Sequence, residues 1–121
     1  MKYSLPGLVL LPGLFLASPA AAQLAGPWVV AGSISGTPFT VNCQFQPKTA
    51  GFGGICIDAA NGKTHVLSQG DAAGNHVQWS YPAHFMMMSF TVNFSGTLNG
   101  DHMAGTVSAS GRTGAFTATR K

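Results

Sequence analysis

The sequence predicts an all-β protein, an eight-stranded antiparallel up-and-down barrel arranged as a meander with one disulfide. Short stretches alternate apolar and polar residues with a period of two, which is typical of half-buried strands. Glycine-containing turns separate these stretches roughly every ten residues, and Asn61-Gly62 and Asn99-Gly100 match the positive-φ pair of a tight hairpin. Eight such strands can close into a barrel and remove both exposed edges. A seven- or eight-stranded sandwich is the alternative, although sandwiches usually need longer crossover connections.

Residues 1–22 predict a secretory signal peptide. Lys2 precedes an apolar stretch over residues 5–16 that is too short to span a bilayer, and small residues lead up to Ala22, after which we expect cleavage. We therefore expect a periplasmic or secreted protein without a membrane anchor. Residues 23–121 are long enough for a single domain with one modest core.

The charge pattern argues against two classes of function. The formal net charge is +3, and the few basic residues are not clustered, so nucleic-acid binding is not expected. The chain contains three acidic residues, all of them aspartates, and no serine or cysteine in a nucleophile motif. We favour a binding protein over an enzyme, and we expect no cofactor and no metal site.

The eight strands are expected in chain order with short connections. They cover residues 27–34, 38–46, 53–58, 63–69, 76–81, 86–98, 102–110 and 115–120. Asn61-Gly62 joins the third strand to the fourth, a turn cluster over residues 70–75 follows, and a loop over residues 82–84 precedes the sixth strand. No window shows a helical period.

The sixth strand has the clearest alternation in the chain. One face is apolar, and it carries Met86, Met88, Phe90, Val92 and Phe94. With Asn99-Gly100 as the turn residues, Phe94 lies opposite Gly105 and Val92 opposite Val107. Large side chains opposite small ones suit the tapered interior of a small closed barrel.

Cys43 and Cys56 are expected to form one disulfide, because they are the only cysteines and belong to the exported part of the chain. Such a bridge would stabilise the fold by about 3 kcal/mol. The Asn61-Gly62 turn, however, places Cys56 on the face opposite Ile55 and Ile57, whereas Cys43 lies on the apolar face of its strand. Either a bulge near residues 51–54 shifts the register, or this hairpin carries apolar residues outside.

Gly26-Pro27-Trp28 at the start of the first strand and Arg120 at the end of the last resemble the calycin superfamily, which includes the lipocalins and avidins. The resemblance implies that Trp28 and Arg120 close one end of the barrel, with the guanidinium on the indole. Such a contact contributes about 0.5 to 2 kcal/mol. The chain end is also similar to the "G-x-F-x-A-x-R" pattern of small exported bacterial barrel proteins, here Gly114, Phe116, Ala118 and Arg120.

Val77-Gln78-Trp79 is similar to the V-x-W of the avidin biotin pocket. Two positions depart from that family. Val30 stands where the avidin pattern has an asparagine, and Ile55 stands where it has a tyrosine. Biotin is therefore not the expected ligand.

The expected function is the binding of an apolar small molecule inside the barrel, since eight strands leave room for one small guest. The expected lining residues are Trp79, Tyr81, Met86, Met88, Phe90 and Phe94. The same side chains would also suit a packed core, because methionine commonly fills irregular gaps.

Three alternatives stay open. The loops over residues 47–53 or 81–85 would serve a protein-binding or inhibitor module. Tyr81 or His84 inside an apolar barrel would serve a cofactor-free isomerase or cyclase. His84, Met86 and Met88 offer the soft donors that select Cu(I) in exported proteins, and the stretch over residues 86–92 is similar to small periplasmic copper chaperones.

One acid and imidazole pair is readable from the sequence. Asp58 and His65 are expected directly opposite each other across the Asn61-Gly62 turn. Such a pair can orient a general base, but an ordinary cross-strand surface contact is the simpler interpretation.

Overall fold

The computed structural model describes residues 19–121, which form a short helix followed by nine β-strands. The helix, α1, covers Pro19–Leu24. The strands are β1 (Gly26–Ile34), β2 (Thr37–Pro47), β3 (Phe52–Asp58), β4 (Thr64–Val66), β5 (Gln69–Ala73), β6 (His76–Phe85), β7 (Met88–Asn99), β8 (His102–Ala109) and β9 (Arg112–Arg120). The apolar stretch 5–16 of the predicted signal peptide lies outside the described residues. Among residues 19–121, no helix is long and apolar enough to cross a membrane.

The strands form one antiparallel sheet in the order β4-β3-β2-β1-β9-β8-β7-β6-β5. The first and last strands are neighbours near its centre, where Trp28 lies opposite Arg120. The sheet curls strongly into a half-barrel around its apolar face. This confirms the all-β antiparallel meander and is compatible with a calycin-like fold, and a single sheet excludes the sandwich.

The predicted closed barrel of eight strands is wrong, because a ninth strand forms from residues predicted as a turn and the sheet stays open. β4 pairs with β3, and after Leu67 and Ser68 the chain turns to pair, as β5, with β6. Residues 70–75, predicted as a turn cluster, are therefore mostly strand. Gly70 permits this course, since a Cβ atom there would lie 2.4 Å from the carbonyl oxygen of Phe52. β4 and β5 remain the two edges of an open sheet.

The predicted loop over residues 82–84 is also wrong, because β6 continues through Pro82 to Phe85. The carbonyl oxygen of Ser80 accepts a hydrogen bond from the Ser68 amide on the β5 side of β6. The backbone groups of alternate residues point to the same neighbouring strand, so the backbone nitrogen of Pro82 also points to the β5 side. β5 ends its pairing at Ser80, so the missing amide of Pro82 lies at a sheet edge, where proline is tolerated.

Both predicted Asn-Gly registers differ from the structure by two residues. The β7–β8 turn consists of Gly100 and Asp101, so Asn99 lies opposite His102 and Phe94 opposite Val107. Gly100 has a φ of 63°, which suits the first position of a type II′ turn. A shift of two residues keeps every side chain on its predicted face, because strand faces alternate with a period of two.

The disulfide between Cys43 and Cys56 is confirmed. The two cysteines lie directly opposite each other, and β2 and β3 pair without interruption from Val41 to Pro47, so there is no bulge between them. The second alternative holds instead. The β3–β4 hairpin carries apolar side chains outside, since Ile57 is 37% exposed and Val66 is 62% exposed.

The end of the half-barrel next to α1 is filled. Leu24 of α1 is fully buried, and its carbonyl oxygen accepts a 2.9 Å hydrogen bond from the Trp28 indole. The Arg120 guanidinium lies 4.6 Å from the centroid of the Trp28 ring. It also donates to the carbonyl oxygen of Ala25 at 2.8 Å and pairs with Asp101 at 2.9 Å. The structure thus brings Trp28 and Arg120 together, as the resemblance implied.

The predicted cleavage site after residue 22 falls inside α1.

Candidate functional site

An open cavity of about 290 Å³ occupies the end of the half-barrel opposite α1. Strands β2, β6 and β7 supply most of its wall, because their inward-facing positions are apolar in strict alternation. The apolar lining consists of Ile34, Pro38, Phe39, Val41, Ala83, Phe85, Phe90, Val92 and Phe94. The polar lining consists of Thr37, Asp58, Asn61, Lys63, His65, Tyr81 and His84. The volume is at the lower end of the range of small-molecule sites.

Three of the predicted lining residues, Tyr81, Phe90 and Phe94, lie in the cavity wall. Trp79 does not line this cavity. It is buried beneath Phe94, and the two rings stack with centroids 4.6 Å apart and an angle of 9°. The interior is therefore divided: the level of Trp79 is packed core, and the space above Phe94 is open.

Met86 and Met88 are not part of the interior. Because β6 continues to Phe85 and pairs it with Met88, Met86 and Met87 become the two turn residues. Their φ angles are 50° and 70°, and they are 80% and 104% exposed. The prediction that Met86 and Met88 lie inside is wrong, because Met86 belongs to the turn and Met88, the first residue of β7, is 64% exposed. Phe85, Met86, Met87 and Met88 instead form an exposed apolar tip beside the cavity mouth.

A cluster of polar side chains occupies one side of the cavity. The rings of His65 and Tyr81 stack with centroids 4.6 Å apart and an angle of 15°. Burial, and to a smaller extent the Asp58 carboxylate, raises the pKa of the Tyr81 hydroxyl well above its usual range. Tyr81 therefore keeps its proton at neutral pH and is a hydrogen-bond donor there, not a base.

Asp58 and His65 line the same cavity but are not directly opposite, so that prediction is wrong. The β3–β4 turn is longer than a two-residue hairpin, and it places His65 opposite Cys56. Asp58 Oδ1 accepts a 3.2 Å hydrogen bond from the Ala60 amide. This bond ties the carboxylate to the turn, and no hydrogen bond joins it to His65 within the described residues.

The sequence interpretation missed the contribution of β2 to the site. Phe39 and Val41 lie on the apolar face predicted for that strand, but alternation gives the face of a residue and not its depth in the fold. Phe39 packs edge-on against Phe94, with ring centroids 6.1 Å apart. That contact joins β2 to β7 across the interior. A local sequence pattern does not predict contacts between strands that are distant along the chain.

A metal site has little support from the geometry. Among residues 19–121, no three or more His, Cys, Asp or Glu side chains are grouped so as to hold a metal ion. The side chains of the Cu(I) alternative, His84, Met86 and Met88, lie at or beside the exposed tip. His84 Nδ1 lies 2.9 Å from the Ser89 hydroxyl. Cu(I) binding stays a prediction.

No protein-family model matches the chain, and neither does any curated protein or solved structure. The chemistry of the site is therefore taken from its own side chains. Beside its apolar walls, the cavity offers the protonated Tyr81 hydroxyl, the stacked His65 imidazole and the Asp58 carboxylate among its polar side chains.

Proposed function

We propose that the protein binds a small apolar molecule in the cavity above Phe94. The observation that carries the proposal is an unfilled, mainly apolar concavity in a fold whose remaining interior is packed. Phe39 and Phe90 are only partly buried there, so a ligand would remove further apolar surface from water. Each Å² removed contributes about 25 cal/mol.

The size of the cavity limits the ligand. A cavity of about 290 Å³ suits a small ligand, because sites for drug-sized molecules begin at about 300 Å³. A single aromatic ring system or a short alkyl chain fits this volume. A sterol or a long fatty acid would extend out of the mouth beside the apolar tip.

Export and a calycin-like relationship belong to the same proposal. The disulfide supports an oxidising compartment such as the periplasm or the extracellular space, where such bonds persist. The curled antiparallel meander supports a calycin-like barrel that holds its ligand on the inner face.

A fluorescence titration tests the proposed binding. The probe is 1-naphthylamine, a small molecule that is uncharged at neutral pH and whose emission shifts to the blue in apolar surroundings. The wild-type protein should shift the emission with saturation, and Phe90→Asp should abolish the shift by placing a charge in the cavity wall. Met87→Asp is the matched control, because Met87 is fully exposed at the tip and does not line the cavity. An emission shift that survives in Phe90→Asp, with the fold intact by circular dichroism, would contradict the proposal.

A second candidate function is protein binding through the apolar tip. Four consecutive apolar residues that are 64% to 104% exposed are unusual on a soluble surface and often mark an interaction site. In this case binding of a partner should be lost on Met87→Asp and retained on Phe90→Asp. Each of the two variants should therefore abolish one of the two functions and leave the other unchanged.

A further inference from the structure

The Tyr81 hydroxyl is the polar group that the fold leaves free inside the cavity. Tyr81 is 4% exposed and lines the cavity. In the part of the chain that the structure describes, its hydroxyl has no hydrogen-bond partner, yet it is not sealed in the core as the Trp79 indole nitrogen is. The hydroxyl is therefore open to the cavity, where water or a ligand can accept its proton.

The Tyr81 ring is held in place from two sides. His65 stacks on it with ring centroids 4.6 Å apart, and Phe94 packs against it at 5.7 Å with a tilt of 43°. Pairing with Val92 fixes the backbone at the same point. The ring is therefore held in one orientation. The protein loses little conformational freedom when a ligand forms a hydrogen bond with the hydroxyl.

The charge beside this hydroxyl is negative. Asp58 lines the same cavity, and the ion pair found among residues 19–121 is that of Arg120 with Asp101, so Asp58 has no ion-pair partner within that range. Lys63 also reaches the cavity lining, but it is solvent-exposed and makes no ion pair within the described residues. Near Tyr81, the Asp58 carboxylate therefore repels a second anion.

We infer that the cavity selects uncharged, largely apolar molecules that carry one carbonyl or ether oxygen, which accepts a hydrogen bond from Tyr81, over carboxylates of the same size. This inference rests on the proposed function. An uncharged acceptor satisfies the hydroxyl without bringing a second negative charge beside Asp58.

Three ligands of equal chain length test the inference by displacing 1-naphthylamine: 2-heptanone, heptane and heptanoate. The ketone should bind at least about tenfold more tightly than heptanoate. Tyr81→Phe keeps the ring stack and should weaken the binding of the ketone about threefold to tenfold while leaving that of heptane unchanged. Asp58→Asn should strengthen heptanoate binding about tenfold and leave the ketone unchanged.

The outcomes separate this inference from the function on which it rests. If 1-naphthylamine does not bind the wild-type protein, the proposed function itself fails. If the probe binds but heptanoate binds as tightly as the ketone, or if Tyr81→Phe leaves the ratio of ketone to heptane affinity unchanged, only the inference is overturned. Circular dichroism of each variant establishes that the comparison is between folded proteins.

Discussion

His65 and Tyr81 stack ring against ring, with 4.6 Å between the centroids, although their strands are not paired with each other. His65 lies on β4, at one edge of the sheet, and Tyr81 lies on β6, beside the other edge. The stack therefore bridges the two sides of the opening in the half-barrel. It also sets the Tyr81 ring in the cavity wall, so the fold and the site depend on the same contact.

Replacing His65 with alanine should lower the free energy of unfolding by about 1 kcal/mol, because aromatic pairs contribute about 0.5 to 1.5 kcal/mol beyond area burial. His84→Ala is the matched control, since His84 is exposed and is expected to change stability by less than about 0.5 kcal/mol. Urea unfolding followed by tryptophan fluorescence measures both variants. Equal losses in the two would show that the stack adds nothing.

The Tyr81 hydroxyl predicts a loss of stability in alkali. Burial and then Asp58 raise its pKa in the folded protein above the value of the unfolded chain, which is about 10. The folded state then holds a proton that the unfolded state has lost, so stability is intact below about pH 10 and falls as the pH rises further.

Tyr81→Phe should make the unfolding free energy less dependent on pH in this alkaline range. Urea unfolding at a series of pH values measures the slope, and absorbance at the tyrosinate band reports the ionisation directly. Tyr81 ionising at an ordinary tyrosine pKa, or equal slopes for the two proteins, would refute the assignment.

Removal of the disulfide should cost about 3 kcal/mol, because the bridge joins residues 13 apart and restricts the unfolded chain. The double variant Cys43→Ala, Cys56→Ala and the wild-type protein after reduction by dithiothreitol should lose similar amounts in urea unfolding. Dithiothreitol added to the double variant is the control and should have no effect. A reduced protein that is as stable as the oxidised one would contradict this prediction.

The Met86-Met87 turn predicts a stabilising substitution. Both residues have positive φ angles, 50° and 70°, a conformation that costs roughly 1 kcal/mol or more for ordinary side chains. Asn-Gly is the preferred pair for a two-residue turn of this kind, so Met86→Asn with Met87→Gly should raise the unfolding free energy by about 1 kcal/mol. Met88→Asn, on the adjoining strand, should give no gain. A loss of stability in the double variant would show that the tip methionines make contacts that their exposure does not indicate.

The parts of the fold that depend on neighbouring residues were predictable from the sequence. The alternation in β2 and β7 gave the inner face correctly, because faces are set by a period of two in the chain itself. The disulfide was predicted from the only two cysteines of the chain and from the expected oxidising compartment. Even the wrong register of the Asn99-Gly100 hairpin left Phe94 on the correct face, since it differed by two residues.

The parts that depend on distant contacts were not predictable. β5 forms because Gly70 allows the chain to approach Phe52, and β6 passes Pro82 because β5 has ended beside it. Likewise the tip arises because Phe85 pairs with Met88, which leaves two methionines in a conformation that their residue type does not favour. The boundary between packed core and cavity at Phe94 depends on how deep each residue lies in the half-barrel. A local sequence pattern does not report that depth.

An amide NMR titration of the isotope-labelled protein with 2-heptanone tests binding in the cavity, because it reports where the molecule binds without a prior choice of site. We expect saturable shift changes at residues of the cavity wall, including Tyr81, Phe90 and Val92, and none at Trp28 near the closed end. Changes confined to α1 or to the apolar tip, or no changes at all, would contradict binding in the cavity.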